Sequence, residues 1–264
     1  MLRHVLALIF TAAVLLSCQS GKKPAGSVIS TEDPSVISTE NPSVISTEAE
    51  KSLSDYWSHN DWHIVEGDIS VNEDRFAAFA ELAAAAPKEE AVAALGALLD
   101  TLKAEDEVAY YIYAGWAEGA FYNPLSPCRN YELYSYAVDR IASDGILSED
   151  ECVPMLRRKH WMSLNLPGEK AFIPEADPEG RNTLVLVIDL SCPTCREALG
   201  RLTDEWAEAR HLAICCGSGN LPDVPGWDYQ METNISEWFD IHMAPVYYVI
   251  DPAGVVVQSY TPAL

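Results

Sequence analysis

The sequence predicts an all-α region followed by an α/β region built on a central mixed sheet. Apolar and aromatic residues recur at helical spacing over residues 53–163, as in "EEAVAALGALLDTL" (89–102). After residue 164 the pattern changes to strand, helix, strand, and the chain closes with a hairpin. This change in periodicity divides the globular part into a helical domain, 53–163, and an α/β domain, 164–264.

Four segments of the first domain have clear helical patterns. They are "RFAAFAELAAAA" (75–86), "EEAVAALGALLDTL" (89–102), "EVAYYIYAGWAEGAFY" (107–122) and "YELYSYAVDRIAS" (131–143). Pro124 and Pro127 interrupt the pattern before the fourth segment, because proline cannot continue a helix. We expect a helical bundle of roughly 100 residues.

The second domain begins with the βαβ pattern of a parallel sheet. "NTLVLVIDL" is an unbroken apolar run, which is typical of a strand that is buried on both faces. The predicted elements are a strand at 182–190, a helix at 193–209, a strand at 211–216, a short helix near 232–240, and a hairpin in which "DPAG" joins "VYYVI" to "VVVQSY". Parallel and antiparallel pairs together give a mixed sheet.

Charge excludes one class of function. The chain has 264 residues with 17 basic and 40 acidic side chains, so its net charge is -23. Such a chain repels phosphate backbones, and we expect no nucleic-acid partner.

The amino terminus predicts export and a membrane anchor. "MLRHVLALIFTAAVLLSCQS" has one early arginine, a short apolar run and small residues, which is the pattern of a secretory signal at residues 1–17. "LLSC" resembles the bacterial lipobox, so Cys18 is expected to carry the lipid; the alternative is a plain signal peptide with an incidental Cys18. Residues 18–52 contain an eight-residue repeat, "SVISTEDP", with the composition of a flexible tether.

These features predict a lipoprotein of the bacterial envelope that is anchored in a membrane and faces the periplasm. Disulfides persist in that oxidising compartment, so it favours thiol chemistry over a zinc ribbon.

The motif "CPTC" follows the first predicted strand and opens the next helix. Cys192 lies at the strand end, and Pro193 suits the first helical position. The unpaired N–H groups and the positive end of the helix dipole favour a thiolate there, and the thiolate is the attacking species. Cys195, one turn further on, is placed to resolve a mixed disulfide. We predict that Cys192 is the nucleophile and Cys195 the resolving thiol.

The order of strand, CxxC, helix, strand and proline-led hairpin resembles the thioredoxin fold. "MAPVYYVIDPAGVVV" is similar to the stretch where thioredoxin-like proteins place a cis-proline, here Pro245. The resemblance implies that Pro245 lies beside the CxxC and that Ala244 contacts the substrate backbone.

The helical domain also resembles a known group. "DYWSHNDW" and "NPLSPCRNYELY" are similar to segments of lipid-anchored thioredoxin-like proteins common in Bacteroidetes. The chain departs from thioredoxin in three ways. Ser191 replaces the tryptophan that usually precedes the first cysteine, Leu186 stands where thioredoxin buries an aspartate, and the closing carboxy-terminal helix of the family has no counterpart before Leu264. We expect the helical domain or a partner to cover the sheet face that the missing helix leaves open.

The remaining candidate ligands have alternative interpretations. Cys215 and Cys216 end a strand near the CxxC, but neighbouring strand residues point to opposite faces, which disfavours a zinc site. Cys128 and Cys152 can pair only if their Cα atoms approach within about 7 Å. The motif "SHNDWH" (58–63) has metal-ligand residue types, although surface and capping roles are the favoured interpretation.

Two hypotheses for function follow. The first is a thiol-disulfide oxidoreductase that acts on protein or small-thiol disulfides, with no cofactor and no metal. The alternative is a lipid-anchored binding module that keeps the fold without redox turnover. Direction as reductase, oxidase or isomerase stays open, because potentials within this fold span about -270 to -120 mV.

Overall fold

The computed structural model describes residues 53–172, 177–201 and 206–262. The predicted signal segment, Cys18 and the repeat tether lie outside these residues. No helix in the described ranges has the length and apolar composition needed to cross a bilayer.

Six α-helices form the first region. They are α1 (Tyr56–His59), α2 (Ser70–Ala85), α3 (Lys88–Glu105), α4 (Glu107–Phe121), α5 (Tyr131–Asp144) and α6 (Glu149–Ser163). Side-chain caps explain several boundaries. Asp106 accepts hydrogen bonds from two backbone N–H groups of α4, Asn130 does the same for α5, and Ser148 and Glu151 form a capping box at α6.

The core of the helical region combines aromatic rings with small residues. Phe79, Tyr110 and Tyr113 are almost fully buried, and alanines fill the positions between them. Gly96 on α3 lies against the hydroxyl of Tyr136 on α5, where a Cβ atom would collide with it. The small residue therefore lets the two helices approach closely.

Five strands and one α-helix form the described part of the second region. The strands are β1 (Thr183–Asp189), β2 (Arg210–Cys216), β3 (Trp227–Met231), β4 (Val246–Ile250) and β5 (Val256–Pro262), and the helix is α7 (Pro193–Arg201). The strand order is β3-β2-β1-β4-β5. β1, β2 and β3 are parallel, whereas β4 is antiparallel to β1 and β5. This mixed sheet agrees with the prediction.

The prediction differs from the structure in three places. It did not include β3, an edge strand that runs from buried Trp227 to exposed Met231 without a continuous apolar run. Within the short helix predicted near 232–240, only Ile235–Glu237 is helical, as a single 3-10 turn, and a second 3-10 turn, Ile241–Met243, follows it. In addition, residues 206–208 of the predicted 193–209 helix form a turn.

The sheet is buried on both faces. On one face, here the Cys195 face, Leu184, Leu186 and Ile188 of β1 pack with residues of α7. On the other, here the Phe239 face, Val185 and Val187 pack with the segment that carries the two 3-10 turns. Met243 packs against both the Phe239 face and the helical core. The turns and the helical region therefore help to cover the Phe239 face.

Candidate active site

The strand-to-helix junction presents Cys192 at the carboxyl end of β1. The Cys192 N–H donates to the carbonyl of Asp189 at 3.0 Å, which closes a tight turn directly before Pro193 begins α7. Cys192 is partly exposed and Cys195 is fully buried. The pair is therefore asymmetric, with one thiol accessible to a substrate and one enclosed behind it.

The thiol of Cys192 receives hydrogen bonds that favour its charged form. The backbone N–H of Cys195 donates to the Cys192 Sγ at 3.4 Å. Partial burial acts to raise the pKa of Cys192, but hydrogen bonds from Cys195 and Thr194 outweigh it, and the pKa lies below its usual value. Such stabilisation of the thiolate is the property required of an attacking cysteine.

Cys195 has the opposite character. Burial raises its pKa to about 12. The neighbouring Cys192 and the charge of Asp189 act in the same direction, while a hydrogen bond with the Asp189 backbone opposes them. Leu186, fully buried in the same cluster, brings an apolar side chain to the position where the thioredoxin resemblance implies an aspartate. Cys195 therefore stays protonated near neutral pH unless a change in its surroundings lowers its pKa.

Asp189 shapes the turn before the thiols. Its Oδ1 accepts hydrogen bonds from the backbone N–H of Ser191 at 2.8 Å and from the Ser191 hydroxyl at 2.7 Å. Gly217 has a φ of 78°, and the Asp189 carboxylate occupies the space that a side chain at position 217 would fill. Asp189 therefore shapes the turn that leads from β1 into Cys192.

The peptide bond between Ala244 and Pro245 is cis, as the resemblance implied. Ala244 and Cys192 are both half-buried against the Cys195 face, so the fold brings the predicted substrate segment to the thiol side of the sheet. The binding role of the two residues stays a prediction.

The described residues contain four cysteines besides this pair. Cys215 is buried in the Cys195 face and Cys216 packs against the Phe239 face, so the two point to opposite sides as expected. Cys128 and Cys152 are free, buried thiols in the helical core. Burial raises the pKa of all four thiols, which makes them poor nucleophiles.

The candidate metal ligands do not converge. His63 contacts Asp61 at 2.6 Å in an exposed pair, and His59 lies against the backbone of Asp55. Across the described ranges, no group of three or more His, Cys, Asp or Glu side chains is placed to hold a metal ion.

Sequence reasoning missed a polar cluster between the two regions. The Tyr122 hydroxyl, just after α4, donates to Asp240 Oδ2 at 2.7 Å. Arg158 on α6 lies 2.6 Å from Glu118 and 3.9 Å from Asp240. These residues are far apart in sequence, and the one local signal was Glu118, a charged residue inside the otherwise apolar α4.

Comparison with known proteins supports the fold. No family model matches the sequence, and no curated protein matches it. The structure resembles the solved structure of a thioredoxin-like protein from Bacteroides caccae, with a TM-score of 0.64 and 15% sequence identity. The likeness covers 87% of this chain and 96% of the other, far more than residues 164–264 alone supply. The chain therefore has a thioredoxin-like fold, and the architecture it shares with this structure extends into the helical region.

Proposed function

We propose that this chain is a thiol-disulfide oxidoreductase of thioredoxin-like type that exchanges disulfides through Cys192 and Cys195. The asymmetry of the two thiols carries the proposal. Cys192 is accessible and its pKa is lowered, whereas Cys195 is buried and its pKa is raised to about 12. Disulfide exchange requires one activated thiol that attacks and a second thiol that resolves the mixed disulfide. A structural disulfide requires no activated thiol.

The reaction proceeds through a mixed disulfide. The Cys192 thiolate attacks one sulfur of a substrate disulfide, a new S–S bond forms to Cys192, and the other substrate sulfur leaves as a thiolate that takes up a proton. Cys195 then loses its proton, attacks Cys192 Sγ and releases the second substrate thiol. In this reducing direction the protein ends with a Cys192–Cys195 disulfide, and the substrate has gained two electrons and two protons; the same steps in reverse oxidise a substrate dithiol.

Resolution is the demanding step for this chain. Cys195 must ionise from a pKa of about 12, and Leu186 supplies no carboxylate to accept its proton. Loss of the negative charge on Cys192, once it forms the mixed disulfide, removes one of the causes that raise the Cys195 pKa. Attack by Cys192 therefore helps to prepare Cys195 for the second step.

The proposed substrates are protein or small-thiol disulfides that approach over Ala244 and Pro245. We also propose that the protein acts at the bacterial envelope and is held on a membrane by lipid on Cys18. Metabolic labelling with a clickable fatty acid tests the anchor, because Cys18→Ala must lose the label that the wild type acquires.

Trapping of the mixed disulfide tests the reaction. Cys195→Ser keeps the attacking thiol but removes the resolving one, so we expect covalent adducts with a peptide disulfide that dithiothreitol dissolves. Cys192→Ser must form none. Cys215→Ser is a matched control, because it removes another buried thiol of the Cys195 face and must behave as the wild type does.

The same experiment separates the alternative. A binding module without turnover forms no adduct in Cys195→Ser, and its Cys192 reacts with iodoacetamide no faster than an ordinary thiol. The direction of electron flow follows from the reduction potential of the pair, measured against glutathione.

A further inference from the structure

Asp240 connects the helical region to the segment that carries Ala244. It directly precedes the 3-10 turn Ile241–Met243, and its carbonyl accepts the Met243 N–H at 3.0 Å. The Ala244 N–H donates to Ile241 at 3.2 Å, so the same turn leads into the cis bond before β4. A displacement of Asp240 is therefore transmitted through one short turn to Ala244.

Two side chains of the helical region hold Asp240. The Tyr122 hydroxyl donates to its carboxylate at 2.7 Å, and both residues are buried. Arg158 lies 3.9 Å from the same carboxylate oxygen, and its guanidinium stacks 5.7 Å from the Tyr122 ring centre. Glu118 accepts from Arg158 at 2.6 Å. Because these charged groups are largely removed from water, their geometry is costly to break.

Apolar packing reinforces this connection. Met243 packs against the helical core as well as the Phe239 face. A narrow cleft beside it is lined by residues of both regions, including Trp161 and Met162 on α6 and Phe239 and Val246 on the sheet side. Its interior volume of about 10 Å³ is no more than one water molecule needs, so it is a packed junction and not a ligand pocket.

We propose that Tyr122 and Arg158 are positioning residues for the substrate segment, so that the helical region sets the geometry with which Ala244 receives a peptide disulfide. This inference rests on the proposed function. It assigns the helical region a part in substrate binding through Asp240, without direct contact between the helices and the thiols.

The test uses the full chain with Cys192 and Cys195 reduced, in single-turnover reactions with two disulfides. A short peptide with an internal disulfide has a backbone that can pair with Ala244. Dithiobis(nitrobenzoate) has no peptide backbone, so it reports thiol reactivity alone. We expect Tyr122→Phe to raise the half-saturating peptide concentration about three- to tenfold, with the maximal rate and the dithiobis(nitrobenzoate) rate within about twofold of wild type.

Tyr110→Phe is the matched control. Its buried hydroxyl also donates to a carboxylate, Asp144, at 2.8 Å, but within the helical region. The two variants lose similar hydrogen bonds, so a general loss of stability affects both alike. If Tyr122→Phe folds poorly, Asp240→Asn replaces it, since the amide oxygen still accepts from Tyr122 while the charge toward Arg158 is removed; the same selective loss is expected.

The possible outcomes are distinct. Equal half-saturation in Tyr122→Phe and wild type, or an equal rise in Tyr110→Phe, overturns the positioning role while leaving the oxidoreductase proposal intact. A wild-type protein whose Cys192 does not react with the peptide disulfide overturns the proposed function, and the inference fails with it. A rise for the peptide alone, confined to Tyr122→Phe, supports both.

Discussion

The helical and sheet regions differ in how their polar side chains are stabilised. In the helical region, Asp144 contacts Tyr110, Lys103 and Arg140 at 2.8 to 3.0 Å, so a largely buried carboxylate is neutralised within the region. In the sheet region, the Cys192 thiol is partly exposed at the end of a strand and accepts hydrogen bonds from backbone N–H groups, which lower its pKa. The helical region thus stabilises a buried charge with side-chain partners, whereas the sheet region stabilises an accessible thiolate with its backbone.

The junction between the two regions contains an ion pair on the helical side and a hydrogen bond that reaches across to the sheet side. Glu118 and Arg158 form an ion pair on the helical side, while Asp240 on the sheet side receives the Tyr122 hydroxyl. Burial raises the pKa of Glu118, and Arg158 opposes that effect. The junction therefore depends on partners from both regions, and four predictions probe how far the regions depend on each other.

The largest expected effect comes from the helical core. Phe79→Ala removes a fully buried ring, which costs about 3 to 5 kcal/mol of unfolding free energy. If the two regions unfold together, protection of the Cys195 thiol against alkylation in denaturant must fall by the same amount. Phe172→Ala, at a residue that is 50% exposed, is the control and should change little. Unchanged Cys195 protection in Phe79→Ala would mean that the regions unfold independently.

The junction ion pair is expected to give the next largest effect. Arg158→Met leaves Glu118, whose side chain is 9% exposed, without its guanidinium, and we expect a loss of about 2 to 3 kcal/mol in urea denaturation. Lys88→Met breaks the exposed pair with Glu132, whose side chains are 55% and 48% exposed, and should cost less than about 1 kcal/mol. Equal losses of unfolding free energy in the two variants would show that the junction pair contributes no more to stability than an exposed pair.

Thiol reactivity sharpens the chemical side of the comparison. Because the Cys192 pKa is lowered, its alkylation rate should rise with pH and reach half its plateau below about 8.5. Cys195, with a pKa of about 12, should react more than about tenfold more slowly at pH 7. Peptide mapping by mass spectrometry after timed iodoacetamide treatment measures both rates. A Cys192 midpoint above 8.5 would contradict the proposed activation.

The smallest predicted effect concerns Asp189. Burial raises the pKa of Cys216, and the Asp189 carboxylate adds to the rise. Asp189→Asn keeps an oxygen that can accept from Ser191 but removes the charge, so alkylation of Cys216 at pH 8 should become about two- to threefold faster. Cys128, in the helical core, serves as the internal reference. No change in the ratio of the two rates would assign Asp189 a purely local role in the turn.

The sequence by itself determined the elements whose signal is local. The unbroken apolar run of β1 predicted a buried strand, and the observed strand, Thr183–Asp189, lies within the predicted range 182–190. Cys192 and Pro193 predicted a thiol at a helix start, since the residues that shape that turn are neighbours in the chain. Aromatic and alanine spacing likewise predicted α2, α3, α4 and α5 of the first region, but not the short α1 or the polar α6.

Tertiary structure decided the features that depend on distant partners. β3 is an edge strand that is defined by its ladder with β2, and its own residues lack a continuous apolar run. The segment before Pro245 forms 3-10 turns, and its Phe239 and Met243 pack against the sheet, Met243 also against the helical core. The contact of Tyr122 with Asp240 spans 118 residues, and no local pattern predicts such a pair. Spacing along the chain sets local conformation, whereas burial and hydrogen bonding between distant residues become visible only when the chain is folded.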